Sequence, residues 1–98
     1  MSSTNFVNYE TLTQGVSVYN TQSQNIVELM GVLASMNEEL EAGWQNETAR
    51  AFIEMYNNTH KPALQSAATA LAEISSYINS YMEARQNEDA AGAAGIRM

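Results

Sequence analysis

The sequence predicts an all-α protein, an antiparallel two-helix hairpin that pairs into a four-helix bundle as a dimer. Three observations predict it. Apolar side chains recur at alternating steps of three and four through two long segments. Only a few residues around the single tryptophan, Trp44, join those segments. The chain is also short, at 98 residues without a cysteine. Alternating steps of three and four keep side chains on one face of a helix, and so short a connection turns the second helix back along the first. A chain of this size sits near the lower limit for a self-sufficient core, and it has no disulfide to help. A lone hairpin leaves part of each stripe wet, whereas two hairpins packed face to face cover it.

The first helix is expected over about residues 8–42. Its seam runs Tyr9, Leu12, Val16, Tyr19, Ile26, Met30, Leu33 and Leu40, a heptad pattern interrupted by Ser23 and Asn37. Val27, Leu29, Val32 and Met36 widen the stripe in its second half. Gly15 and Gly31 each cost a helix about 1 kcal/mol relative to alanine, which the seam must offset. They are expected where the partner helix approaches closely. No proline or turn cluster precedes Gly43, so one helix of about 35 residues, roughly 50 Å long at the standard rise, is expected.

The turn is expected at about 43–45 and the second helix at about 46–87. Asn46 is a good N-cap residue, and Glu47 puts a negative charge in the first turn, where it suits the helix dipole. The stripe is Ala49, Phe52, Ile53, Tyr56, His60, Ala63, Leu64, Ala67, Ala70, Leu71, Ile74, Tyr77, Ile78 and Tyr81. Pro62 falls inside it and cannot donate to the carbonyl of Asn58, so a kink or local loosening is expected there. The periodicity resumes beyond, which favours one bent helix over two. From Glu88 the chain turns to small residues with two glycines, read as a flexible tail over 88–98. The whole, 1–98, is a single domain.

Charge and chemistry narrow the function. The formal net charge is -7, and all four basic residues, Arg50, Lys61, Arg85 and Arg97, follow Trp44. Phosphate recognition needs clustered Lys and Arg, so nucleic acid is not an expected partner, and interfacial helices likewise favour basic polar faces. No stretch reaches a membrane-spanning length. No basic segment followed by an apolar run opens the chain, so any export is expected to bypass a standard leader. His60 is the only histidine, Asp89 the only aspartate, and thiols are absent. A nucleophile with its base and orienting group is missing, so the expectation is a protein without catalytic residues. Metal-binding bundles need Glu-x-x-His pairs projecting inward, and Glu54 stands too far before His60 for one. No cofactor or metal is expected. His60 reads as a histidine packed at the seam, and the tyrosines read as core or interface.

A long helix, a tryptophan corner and a second long helix make the chain resemble the WXG100 family, the ESAT-6-like small proteins of bacterial type VII secretion. The resemblance covers nearly the whole sequence. The family signature is Trp-x-Gly in the hairpin turn, and this chain has Trp44-Gln45-Asn46, with asparagine in the glycine position. Asparagine is the residue next best able to turn left-handed or to cap a helix. Glu47 to Tyr56 is similar to the family's second-helix start.

The resemblance implies a non-enzymatic, virulence-associated protein, exported as a folded helical dimer and acting as a secreted effector or export partner. Its partners would be itself, as a homodimer, or a related WXG100-like protein, together with the membrane ATPase of the apparatus. It would be cytoplasmic before export, then secreted or cell-surface associated. Trp44, Gln45 and Asn46 would form, with the partner's C-terminal segment, a composite surface read by the secretion machinery. The family's second signal, Tyr-x-x-x-Asp/Glu, is poorly matched, since Tyr81 is followed at the fourth position by Arg85. That points to a partner supplying it.

The expected hairpin and dimer interface draws on the helix 1 seam, with Phe52, Ile53, Tyr56, Leu64, Leu71, Ile74, Tyr77 and Ile78 from helix 2. Ser23, Asn37 and His60 are the polar seam positions expected to influence partner choice. Two other readings remain open from sequence. One is a chaperone-like targeting partner for the helical N-terminal domain of a larger type VII toxin. The other is an intracellular coiled-coil adaptor, which would form open assemblies where a hairpin predicts a closed pair.

Overall fold

The computed structural model of the protein describes residues 6–96, with side chains through residue 90. Helix α1 spans Tyr9–Gly43. Asn8 caps it, its side-chain oxygen accepting the Thr11 N–H at 3.1 Å and its carbonyl accepting the Leu12 N–H at the same distance. Glu10 adds a negative charge to the first turn. The returning arm comprises α2 (Glu47–Met55), a π turn (Tyr56–His60) and α3 (Lys61–Ile96). The molecule is a rod, 76 × 28 × 17 Å, with a radius of gyration of 22.0 Å. A compact domain of this length would have a radius of about 13 Å.

A two-helix rod has a seam and no interior. Among the described residues the buried apolar side chains are Ala49 and Ala68, and the buried polar ones are Ser23 and Ser75. The serines tie the arms together. Ser23 Oγ donates to the Ala68 carbonyl at 2.7 Å, and Ser75 Oγ donates to the Val16 carbonyl at 2.9 Å. Each such bond contributes about 1 kcal/mol net, and small residues on both sides let the backbones come within reach. Along α1 the seam residues Tyr9, Leu12, Val16, Ile26, Met30, Leu33, Asn37 and Leu40 are half-buried, while Tyr19 remains 37% exposed. The glycines are not needed for close approach. A methyl group at Gly15 would lie 3.6 Å from Ile78 Cδ1, an ordinary contact, and one at Gly31 would meet nothing.

The second arm departs from the sequence pattern at Pro62. The Lys61 N–H bonds the Tyr56 carbonyl, five residues back rather than four. Pro62 lacks an N–H, and in a plain α-helix its ring would strike the Asn58 carbonyl. Widening the preceding turn relieves that clash and absorbs one extra residue. The face meeting α1 therefore moves by one position. Leu64, Ala68, Leu71, Ser75, Ile78 and Met82 are buried or half-buried, whereas the uninterrupted register would have used Ala63, Ala67, Ala70, Ile74, Tyr77 and Tyr81, all exposed. His60, expected on the seam, is exposed in the π turn for the same reason.

Helix α3 also continues to Ile96, through most of the stretch read from sequence as a tail. Alanine is the strongest helix former, and Ala90, Ala91, Ala93 and Ala94 outweigh the glycines among them. Residues 97–98 of that stretch lie outside the described residues.

One flank of the hairpin carries most of its exposed apolar side chains, with Gln22 and Asn25 among them. Leu29 and Met36 lie on the same line of α1 as Gly15, spaced by sevens, and Val18 and Val32 lie on the line beside it. Gly15 faces Ile78, whose neighbours one turn away are Ile74 and Tyr81. Nine exposed apolar side chains of the two arms thus share one side: Val18, Leu29, Val32 and Met36 from α1, Phe52 and Met55 from α2, and Ile74, Tyr77 and Tyr81 from α3. Val27, expected to widen the stripe, is exposed on the opposite flank of the seam.

Candidate functional site at the hairpin corner

The corner is built from two helix ends and three residues. Trp44 is the C-cap of α1, at φ -143° and ψ 90°, and Asn46 is the N-cap of α2, at φ -157° and ψ -179°. Both are extended, and no described residue has a positive φ, so nothing in the turn demands glycine. Asn46 instead acts through its side chain. Its Oδ1 accepts the Ala49 N–H at 2.8 Å, while its carbonyl accepts the Arg50 N–H at 3.1 Å, which starts α2. Gln45 Nε2 donates to the Ala42 carbonyl at 3.3 Å, satisfying one of the acceptors that α1 leaves free at its end.

Trp44 folds back on α2. Its ring lies 5.8 Å from that of Phe52 at a tilt of 41°, within the range favourable for aromatic pairs. Beside it opens a cleft of about 570 Å³, lined by Trp44, Ala49 and Ile53 on its apolar part and by Glu41, Glu47, Glu54 and Arg50 on its charged rim. A volume of this order suits a few side chains of a partner. The chemistry offered is recognition, apolar area bordered by three carboxylates and one guanidinium.

The far end of the rod has its own polar cluster. Tyr81 is exposed and Arg85 half-buried. Arg85 Nε lies 3.5 Å from Asp89 Oδ1, and the Tyr9 hydroxyl donates to Asp89 Oδ2 at 2.6 Å. The hydrogen bond to that carboxylate, followed by partial desolvation and the carboxylate's charge, raises the Tyr9 pKa above its ordinary value. For Arg85 desolvation works downward, but the Asp89 charge and the Tyr81 hydroxyl outweigh it and the pKa is raised. Asp89 thus joins the end of α3 to the start of α1. Among the described residues no three His, Asp or Glu side chains converge as metal ligands would.

The sequence matches the family described as "WXG100: Proteins of 100 residues with WXG" over residues 6–90. The chain belongs to the WXG100 family. The hairpin is also similar to the solved structure titled "Geobacillus thermodenitrificans EsxA crystal form I", with 26% sequence identity and a TM-score of 0.80, covering 93% of this chain and 100% of that one. No curated protein sequence matches the chain. It is an ESAT-6-like protein of type VII secretion with the helical hairpin of that family. No described helix is long and apolar enough to cross a membrane.

Within this WXG100 hairpin, Trp44, Gln45 and Asn46 converge on the corner, whereas Tyr81 and Arg85 lie at the opposite end of the rod. Leu12, Val16, Leu33, Leu40, Ile53, Tyr56, Leu64, Leu71 and Ile78 are half-buried along the hairpin seam, while Phe52, Ile74 and Tyr77 are turned outward. Sequence reasoning missed Ala68, Ser75 and Met82 as seam residues, because it carried the heptad through the π turn unshifted. It also missed Asp89, placed in the expected tail. The four-residue spacing from Arg85 to Asp89, an ion-pair spacing on a helix, was the signal that could have found it.

Proposed function

We propose that this WXG100 protein pairs with a second copy of itself, or with a related WXG100 protein, into an antiparallel four-helix bundle, and leaves the cell folded through the type VII apparatus. The apolar flank carries this reading. A hairpin whose buried apolar side chains are two alanines, yet which exposes Leu29, Met36, Phe52 and Ile74 on one side, has its core still to be completed. The partner helices lay their own flank on these residues, and the seam residues expected at the interface become the centre of the bundle. The protein acts without enzymatic activity, as a secreted effector or export partner, and is cytoplasmic before export.

The corner is the surface presented to the export ATPase. Trp44 and Asn46, with the cleft they border, make with the partner's C-terminal segment the composite feature that the machinery reads. Tyr81-x-x-x-Arg85 lacks the acidic residue of the family's C-terminal signal, so a partner supplies that signal. The test joins two measurements. Light scattering over a dilution series is expected to give twice the chain mass, and Trp44→Ala is expected to abolish export while that mass and the helicity persist. A well-folded monomer at all concentrations would refute the pairing. Normal export of Trp44→Ala would refute the role of the corner.

A further inference from the structure

The π turn separates two apolar stripes that lie side by side on the second arm. Upstream of it, Ile53 and Tyr56 face α1, and Phe52 and Met55 are exposed on the apolar flank. If the arm continued as a plain α-helix with the same residues, the heptad would bring Ala63, Ala67, Ala70, Ile74, Tyr77 and Tyr81 against α1. The flank would then receive residues such as Ser66, Glu73 and Ser80. The one residue absorbed between Tyr56 and His60 reverses this. Leu64, Leu71 and Ile78 go to α1, and Ile74, Tyr77 and Tyr81 continue the line begun by Phe52 and Met55.

We infer that the π turn is a register device that divides the two stripes between two partners, giving one to α1 of its own chain and the other to a second copy. The assignment of the outer stripe rests on the pairing proposed above; the assignment of the inner one does not. Packing and proline chemistry hold the device in place together. The seam takes Leu64, Leu71, Ile78 and Met82 with the small Ala68 and Ser75 between them, where the other register would bring three alanines, one isoleucine and two tyrosines, and the Ser75 bond to Val16 exists only in this register. Pro62 withholds the N–H that would close a plain α turn onto Asn58, so the wider turn forfeits no bond there.

The test removes the surplus residue. Deleting Thr59 together with Pro62→Ala yields a continuous α-helix in which the same side chains still face α1 and the same ones still face the flank. This variant is expected to keep the helicity of the parent and to melt at the same temperature or higher. Deleting Thr69 with Pro62 kept, so that the π turn remains, shifts every downstream residue off the seam. That variant is expected to lose its cooperative melt. The chain has no cysteine, so Ser23→Cys with Ala68→Cys reports the register directly. The pair is expected to form a disulfide in the parent and in the Thr59 deletion, whereas Ser23→Cys with Ala67→Cys is not. Loss of folding by the Thr59 deletion equal to that of the Thr69 deletion, or preferential cross-linking at residue 67, would overturn the inference. A register intact by cross-linking in a chain that stays monomeric would overturn only the second-copy assignment.

Discussion

Replacing Asn46 tests the physical account of the family departure at the corner. Asn46 stands where the signature has glycine, yet its backbone is extended and its side-chain oxygen holds the Ala49 N–H at 2.8 Å. Asn46→Ala removes that acceptor and leaves an N-terminal donor of α2 to water, a loss of about 1 kcal/mol, whereas Asn46→Gly costs only a few tenths. For a chain of this length 1 kcal/mol corresponds to a melting shift of about 4–8 °C. Thermal melts followed by circular dichroism, at one fixed concentration for all variants, are expected to rank parent above Asn46→Gly above Asn46→Ala. Asn46→Asp is expected to equal the parent, since aspartate caps as well and suits the dipole. A glycine variant several degrees more stable than the parent would show a turn that wants a left-handed residue. An alanine variant equal to the parent would show that the cap carries no stability.

Two further predictions address the seam and the far end of the rod. Leu71→Ala, at the half-buried seam, is expected to lower the melting temperature at all concentrations. Ile74→Ala, 39% exposed on the flank, is expected to act chiefly on the mass, raising the concentration at which the proposed dimer dissociates; melts and light scattering on both variants check the split. Tyr9→Phe tests the link to Asp89. Because folding raises the Tyr9 pKa, its contribution is fully present below about pH 10, the unfolded value, and fades as pH climbs through the higher folded value. Removing the hydroxyl is therefore expected to flatten the alkaline limb of the stability profile, as read by denaturant midpoints across that range.

The first helix was legible because nothing interrupts its period. The steps from Tyr9 to Leu40 select, Tyr19 excepted, the residues that the returning arm covers, and even the polar interruptions, Ser23 and Asn37, lie on the covered face. Ser23 is there to donate across to Ala68. Beyond Tyr56 the second arm was legible only in part, since Leu64, Leu71 and Ile78 of the expected stripe line the seam while Ala63, Ala67, Ala70, Ile74, Tyr77 and Tyr81 of the same stripe do not. Its sequence carries two apolar stripes one residue apart, and periodicity has no means of choosing between them when the helix can widen by one residue. Pro62 marked the place of an irregularity, but not whether it would appear as a bend or as an inserted residue. The corner was legible in its capping chemistry and ambiguous in its backbone, since asparagine serves both an extended cap and a left-handed turn.

The thinness of the hairpin connects these observations. A pair of helices of this length can bury a single line of side chains, and here the middle of that line is occupied by Ser23, Ala68 and Ser75, which bring the backbones together at the expense of apolar volume. Large side chains excluded from so close a seam must stand on its flanks. The π turn gathers those of α3 onto the flank already used by α1 and α2 instead of scattering them around the rod. A one-sided apolar face is what a closed, two-fold pair requires, because each copy then offers the other the same surface. The close serine seam and the wide turn before Pro62 are on this argument two parts of one arrangement, the first setting how near the arms approach and the second which side chains are left for the partner.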